Sequence, residues 1–271
     1  MSTSSPGALA RLAVIVFAAL ALSACSSGRV AKVKTGSISV QTVSLMKRLD
    51  MPRQAPILIR VFKEEAQLEV WKQERDGRYG LLRSYEICKF SGKLGPKIRQ
   101  GDRQAPEGFY EIRRENLNPW SRNHLAFNIG YPNAYDRSFG RTGDSIMVHG
   151  GCKSVGCYAM THRRVEEIYA LVREALLSGQ EAVPFQAFPF RMTEANMARH
   201  ADDPNMPFWE MLKVGHDAFA RTGVPPRVAA CAGRYRFKSD PSWNAASDEE
   251  ICASPEPMAQ MQGETIGGGA Y

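Results

Sequence analysis

The 271-residue sequence predicts an α+β, β-rich domain: a curved mixed sheet or sandwich with a helix behind a cysteine-bearing loop, plus a helical C-terminal extension. Two patterns carry this reading. Residues 57–87 contain three short apolar-rich segments separated by turn signals, the pattern of an antiparallel meander. Residues 144–179 pass from a short apolar run, through a glycine-rich loop, into a helical period. A hydrophobic content of 44% and a charged content of 23% are those of a globular chain that buries a core. The net charge of +7 suits an anionic partner surface or a plain solvated basic one. No clustered basic and aromatic module is visible, so nucleic acid is not an expected partner.

In chain order, residues 1–24 read as a signal peptide. Arg11 supplies the positive region, and the apolar run 12–24 is too short to span a bilayer as a mature helix. It ends Leu22-Ser23-Ala24-Cys25, which resembles the bacterial lipobox. The expectation is a lipidated Cys25 and a periplasmic protein lipid-anchored to the outer membrane; Ser26 does not resemble an inner-membrane retention signal. The alternative is cleavage after Ala24, leaving a soluble periplasmic product. Residues 25–54 read as a tether with a short helix at 43–49. Strands follow at 57–62, 67–72 and 79–87, with Asp76-Gly77 as a hairpin turn. Residues 91–106 form a long polar loop of the kind that is often functional. Its Lys97, Arg99 and Arg103 are candidate partners for substrate carboxylates, against the reading that they are solvated loop charges. Residues 110–113 and 124–129 read as strands, 116–122 as a turn and 131–143 as an irregular loop. His124 is a packed or strand-surface histidine, or else a second active-site imidazole.

Beyond the helix, 185–192 reads as a strand, Thr193 as the cap of a short helix to 200, and 206–220 as an amphipathic helix ended by Gly223 and Pro225. His200 and His216 read as surface residues, 228–237 as a final strand and 238–271 as a disordered tail. Six cysteines are present, so a lipidated Cys25 leaves five (6 − 1 = 5), and at least one is unpaired in an oxidising compartment. Cys88 with Cys152, and Cys231 with Cys252, are candidate bridges, but the sequence does not set the connectivity.

The chemistry concentrates between Asp144 and Met160. Ile146, Met147 and Val148 read as a buried strand that delivers His149 to a loop broken by Gly150 and Gly151; the chain returns through Gly156 to Cys157, and a helix starts after Thr161. A thiol is a nucleophile only as thiolate, and a nearby imidazole or helix N-terminus favours that form. The amides around Gly156 and Cys157 are candidate oxyanion donors. Three other readings compete: a Cys152–Cys157 disulfide, a zinc knuckle built from His149, Cys152, Cys157 and His162, and a plain buried thiol beside a core histidine.

The residues His149-Gly150, then Ser154-Val155-Gly156-Cys157-Tyr158-Ala159-Met160, resemble the signature of the L,D-transpeptidase (YkuD-type) family. That resemblance implies the family's fold, Cys157 as acyl-accepting nucleophile, His149 as its base, and Ser154, Gly156 and Gly150 as turn and oxyanion support, with no metal or organic cofactor. Three departures stand out: Val155 replaces the usual second histidine, Ala159 the usual arginine, and the loop is short. They resemble the YafK-like branch, whose likeness extends to residues 95–110, 127–135 and 188–193, and so to roughly residues 55–235. The implied layout is a catalytic domain at 55–192 and an extension at 193–237. The implied function is a periplasmic cysteine enzyme that remodels the cell wall through a thioester on Cys157, acting on peptidoglycan stem peptides as a transpeptidase. The alternatives are an amidase that releases a covalently attached outer-membrane protein from peptidoglycan, and a non-catalytic peptidoglycan-tethering lipoprotein.

Overall fold

In the computed structural model, the antiparallel meander is β1 (Ile57–Phe62), β2 (Gln67–Gln73) and β3 (Tyr79–Glu86). The structure describes residues 33–239 and 247–253. The β2–β3 turn closes where expected, with Gly77 at φ 89. Strand β4 (Gly108–Ile112) and strand β9 (Val183–Phe188) complete a five-stranded sheet in the order β3-β2-β1-β9-β4. Strand β9 runs parallel to β1 and antiparallel to β4. A second sheet contains β5 (Leu117–Asn118), β6 (Ala126–Asn128), β7 (Met147–Gly150) and β8 (Tyr158–Met160), with β7 and β8 parallel.

All six residues of β1 are buried, because both faces of the large sheet are covered. On one face, Ile57, Ile59 and Val61 meet the helix His162–Leu177 through Val165, Ile168, Val172 and Leu176. On the other, Phe62, Phe109, Phe188 and Phe190 meet Trp209 and Leu212 of the helix Met206–Thr222. That helix carries Gly215 because a Cβ there would lie 2.4 Å from the Phe237 ring and 2.6 Å from that of Phe109. Arg60, alternating with the apolar β1 residues, sits on this aromatic side against the rings of Phe219, Phe188 and Phe62, and donates from Nε to Gln186 at 3.1 Å.

Several expectations change. We label the helices α1 (Val40–Arg48), α2 (Ala134–Ser138), α3 (His162–Leu177), α4 (Glu194–Arg199), α5 (Met206–Thr222) and α6 (Asp248–Ala253). The helix foreseen at 43–49 is present as α1, but it is not part of a free tether. Thr42, Met46 and Met51 are buried, and Ser39 donates its N–H and its Oγ–H to Glu167 of α3 at 2.9 and 2.6 Å. The folded domain therefore begins well before residue 55. The loop 131–143 contains α2, capped by Asn133, and a cis Tyr131–Pro132 peptide. The single strand expected at 228–237 is a hairpin, β10 (Arg227–Cys231) and β11 (Arg234–Lys238), turning at Ala232 and Gly233, which both have positive φ. The tail expected to be disordered from 238 instead includes α6, which buries Ile251 and is bonded to β10 through Cys231–Cys252. His216 is not a surface residue: it packs on Phe62 and Phe188, and burial, then the charge of Arg60, lowers its pKa to about 4. His200 stacks on Phe190, with ring centroids 4.5 Å apart. The signal peptide, Cys25 and residues 254–271 lie outside the described residues. Among the described residues, no helix is long and apolar enough to cross a membrane.

Candidate active site

The short strand β8 was not legible as a strand, and it decides the geometry. It pairs with β7 in the register Val148↔Tyr158 and His149↔Ala159. Continuing the same register puts Cys157, the residue just before β8, opposite Met147, two residues along β7 from His149. The Met147 N–H donates to Cys157 Sγ at 3.4 Å, and the thiol points to Ser145 O at 3.7 Å. His149 is buried, with Nδ1 2.9 Å from Gly150 O. A carbonyl only accepts, so Nδ1 carries a proton, and when the ring holds that proton alone Nε2 presents its lone pair.

Cys157 is the free cysteine among the described residues. Cys152 is bonded to Cys88, and Cys231 to Cys252. Cys152 is therefore neither the partner of Cys157 nor a thiolate ligand, which removes both the Cys152–Cys157 bridge and the zinc knuckle. Burial pushes the Cys157 thiol up, opposed by the Met147 N–H and the positive charge of Lys97. The helix foreseen beside the thiol is displaced from it. Strand β8 intervenes before α3, whose N-cap Thr161 accepts from the Arg164 N–H, and a helix dipole fades within its first turn.

The turn before Cys157 needs glycine at 156 for its φ of 119, not for space. Gly150 needs glycine for the opposite reason: a Cβ would lie 2.8 Å from Asn123 O and 2.9 Å from the His162 ring. Ser154 Oγ donates to Cys157 O at 2.6 Å. The Gly156 N–H, foreseen as an oxyanion donor, is instead donated to Ser91 Oγ, which lies 3.1 Å from Ser154 Oγ. Sequence reasoning missed Ser91, and nothing in its local spacing distinguishes it from any loop serine.

The loop 91–107 closes one side of the site, with Gln104 O 3.6 Å from where a Gly156 Cβ would stand. Its stem is fixed by a fully buried pair, Lys63 with Glu107 at 2.8 Å. Lys63 also donates to Lys93 O, Gly95 O and Ala105 O, while Glu107 accepts from the Gly95 N–H and from Trp209 Nε1 of α5. Of the three proposed carboxylate readers, Lys97 is buried close enough for its charge to bear on the thiol, but its ammonium is held by Asp102 and Arg99 O. Arg99 and Arg103 are exposed on the loop. Val155, at the place of the family's second histidine, is 73% exposed. Ala159, at the place of its arginine, is fully buried and backbone-paired with Lys89, so a long cation has no room there. His124 belongs to another cluster: Nε2 meets Glu166 at 2.6 Å and the ring stacks on His162. A cavity of about 760 Å³ opens between β4, the start of β9 and the β10–β11 hairpin, but no cysteine or histidine lines it.

The sequence profile of the L,D-transpeptidase catalytic domain (YkuD) matches residues 56–183. The chain is 50% identical over 181 residues to "Putative L,D-transpeptidase YafK" of Escherichia coli strain K12, covering 67% of this chain and 73% of that protein. The protein of the same name from Escherichia coli O157:H7 matches with the same identity and coverage. Among solved structures, the helical cell shape determining protein Pgp2 (K307A mutant) of Campylobacter jejuni is 21% identical, with a TM-score of 0.42 over 67% of this chain and 66% of that one. With that profile over residues 56–183 and 50% identity over 73% of the length of the Escherichia coli proteins, this chain belongs to the L,D-transpeptidase family of catalytic domains.

Proposed function

We propose that the protein is a periplasmic cysteine acyltransferase that acts on peptidoglycan stem peptides through a thioester on Cys157. One observation supports the reading: the buried His149 donates its Nδ1–H to Gly150 O, which leaves Nε2 to accept a proton, and it stands two residues along β7 from Met147, whose N–H is bonded to the free thiol. In the reaction, His149 Nε2 takes the Cys157 proton and the thiolate attacks a stem-peptide carbonyl carbon. The C–N bond breaks, the amine leaves with the proton from His149, and a thioester remains. An amine acceptor then regenerates the thiol and forms a new amide, which is transpeptidation. Water in the acceptor place gives a carboxylate, which is hydrolysis. Anchoring through a lipidated Cys25 at the outer membrane belongs to the same proposal.

The two substituted signature positions favour a second reading, an amidase that releases an attached outer-membrane protein. Val155 brings no imidazole and Ala159 no guanidinium to orient an amine acceptor's carboxylate. The deciding experiment uses protein lacking residues 1–25, with its disulfides intact. It is incubated with tetrapeptide muropeptides, and separately with peptidoglycan carrying its attached proteins, with Cys157→Ala as control and mass spectrometry of the products. Cross-linked dimers establish a transpeptidase; released protein or free peptide ends without dimers establish the amidase. Identical products from wild type and Cys157→Ala sink both and leave a non-catalytic tethering module.

A further inference from the structure

We infer that Ser91 is a positioning residue for Cys157: its hydroxyl, together with that of Ser154, bridges the peptide entering Gly156 and the peptide leaving Cys157, and holds the turn between them. The proton assignment follows from valence. Ser154 Oγ donates its single proton to Cys157 O at 2.6 Å, since a carbonyl only accepts. Across the 3.1 Å contact between the two hydroxyls the donor is therefore Ser91. The lone pair of Ser91 in turn receives the Gly156 N–H. The result is a directional chain, Gly156 N–H to Ser91 O–H to Ser154 O–H to Cys157 C=O, in which each bond polarises the next.

The two ends of the chain lie on either side of the Cys157 Cα. One end fixes the peptide entering Gly156, the other the peptide leaving Cys157. Gly156 at φ 119 has no side chain to fix its own conformation, so the restraint comes from outside the turn. Ser91 is itself well held. Its carbonyl accepts from the Ala105 N–H at 2.9 Å, and Ala105 O accepts from the buried Lys63 at 3.0 Å. The Cys88–Cys152 bridge joins the same two loops three residues before Ser91 and two before Ser154.

The role in catalysis rests on the cysteine-acyltransferase reading, so the test carries one arm that needs no substrate. Hydrogen exchange of the Gly156 amide is followed in wild type, Ser91→Ala, Ser91→Thr and Ser154→Ala. Ser91→Ala raises that exchange rate about tenfold, and Ser91→Thr, which keeps the hydroxyl, restores the protection. Unchanged Gly156 exchange in Ser91→Ala overturns the clamp whatever the substrate proves to be. In the activity arm, on whichever substrate wild type turns over, Ser91→Ala lowers kcat about 100-fold, as misplacement of a reacting atom by about 1 Å does, with KM little changed. Ser91→Thr recovers most of kcat. Ser91→Ala/Ser154→Ala is no slower than the slower single variant, because one break already opens the chain. Losses that multiply, a kcat that stays at the wild-type value, or a threonine variant as slow as alanine each overturn the positioning role.

Discussion

The two loops that meet at Cys157 are built in opposite ways. The loop 150–157 bears the free cysteine and almost no anchorage of its own: three of its eight residues are glycine, and Val155 is exposed. The loop 91–107 carries no nucleophile, yet its stem closes on a fully buried ion pair with five further hydrogen bonds around it. The first loop is free to approach a substrate because the second is not free to move. Reactivity and rigidity are thus separated in sequence and joined in space, by Ser91 on the one hand and by Cys88–Cys152 on the other.

The rigid loop stem is most vulnerable at Lys63. Lys63→Ala leaves Glu107 buried without its cation and is expected to cost about 3–5 kcal/mol, read as a lowered denaturant midpoint. A loss below about 1 kcal/mol would mean that the loop stem does not depend on the pair. Next comes the covalent joint. Cys88→Ser/Cys152→Ser removes a cross-link spanning 64 residues, and chain entropy puts the loss near 4 kcal/mol at most. Activity should fall with it if the bridge holds the two loops in register. Replacing Cys231 and Cys252, separated by 21 residues, should cost about 3 kcal/mol and leave Cys157 alkylation unchanged.

A smaller effect concerns the thiol itself. Its pKa is raised by burial, so the resting enzyme holds a thiol and alkylation of Cys157 by iodoacetamide should climb about tenfold per pH unit through neutrality, without a plateau below pH 9. A plateau at acidic pH would reveal a resting thiolate–imidazolium pair and contradict this ordering. The smallest stability effect is expected for Val155→His. At an exposed position the change should stay within about 0.5 kcal/mol, so any shift in the ratio of cross-linked to hydrolysed product reports on the added imidazole alone.

The candidate site was legible in sequence because it depends on residue types at short separation. His149, Ser154, Gly156 and Cys157 lie within nine residues, on a strand and a loop whose punctuation is local. The meander and both long helices were legible for the same reason, through their period. What supports the site was not. Ser91 is 65 residues from Gly156, and Lys63 is 44 from Glu107; no spacing rule announces a pair that only the folded topology brings together. The β10–β11 turn was missed because Ala232-Gly233 lacks the Asn-Gly or Asp-Gly that signals such hairpins. The place of His216 was legible from its spacing: with Leu212 and Phe219 at helical intervals, it lies on the buried side of α5.

The docking of α1 sets a length. Ser39 donates to Glu167, whose other oxygen accepts from Tyr85, so the chain is fastened to the domain at residue 39 rather than at residue 55. If the membrane anchor is Cys25, as proposed, residue 39 lies 14 steps along the chain from the lipid (39 − 25 = 14), at most about 50 Å when fully extended. A tether running to residue 55 would be 30 residues long (55 − 25 = 30), or about 100 Å. On that proposal, the α1 contact halves the leash, and with it the distance from the lipid at which a Cys25-anchored domain would be able to work.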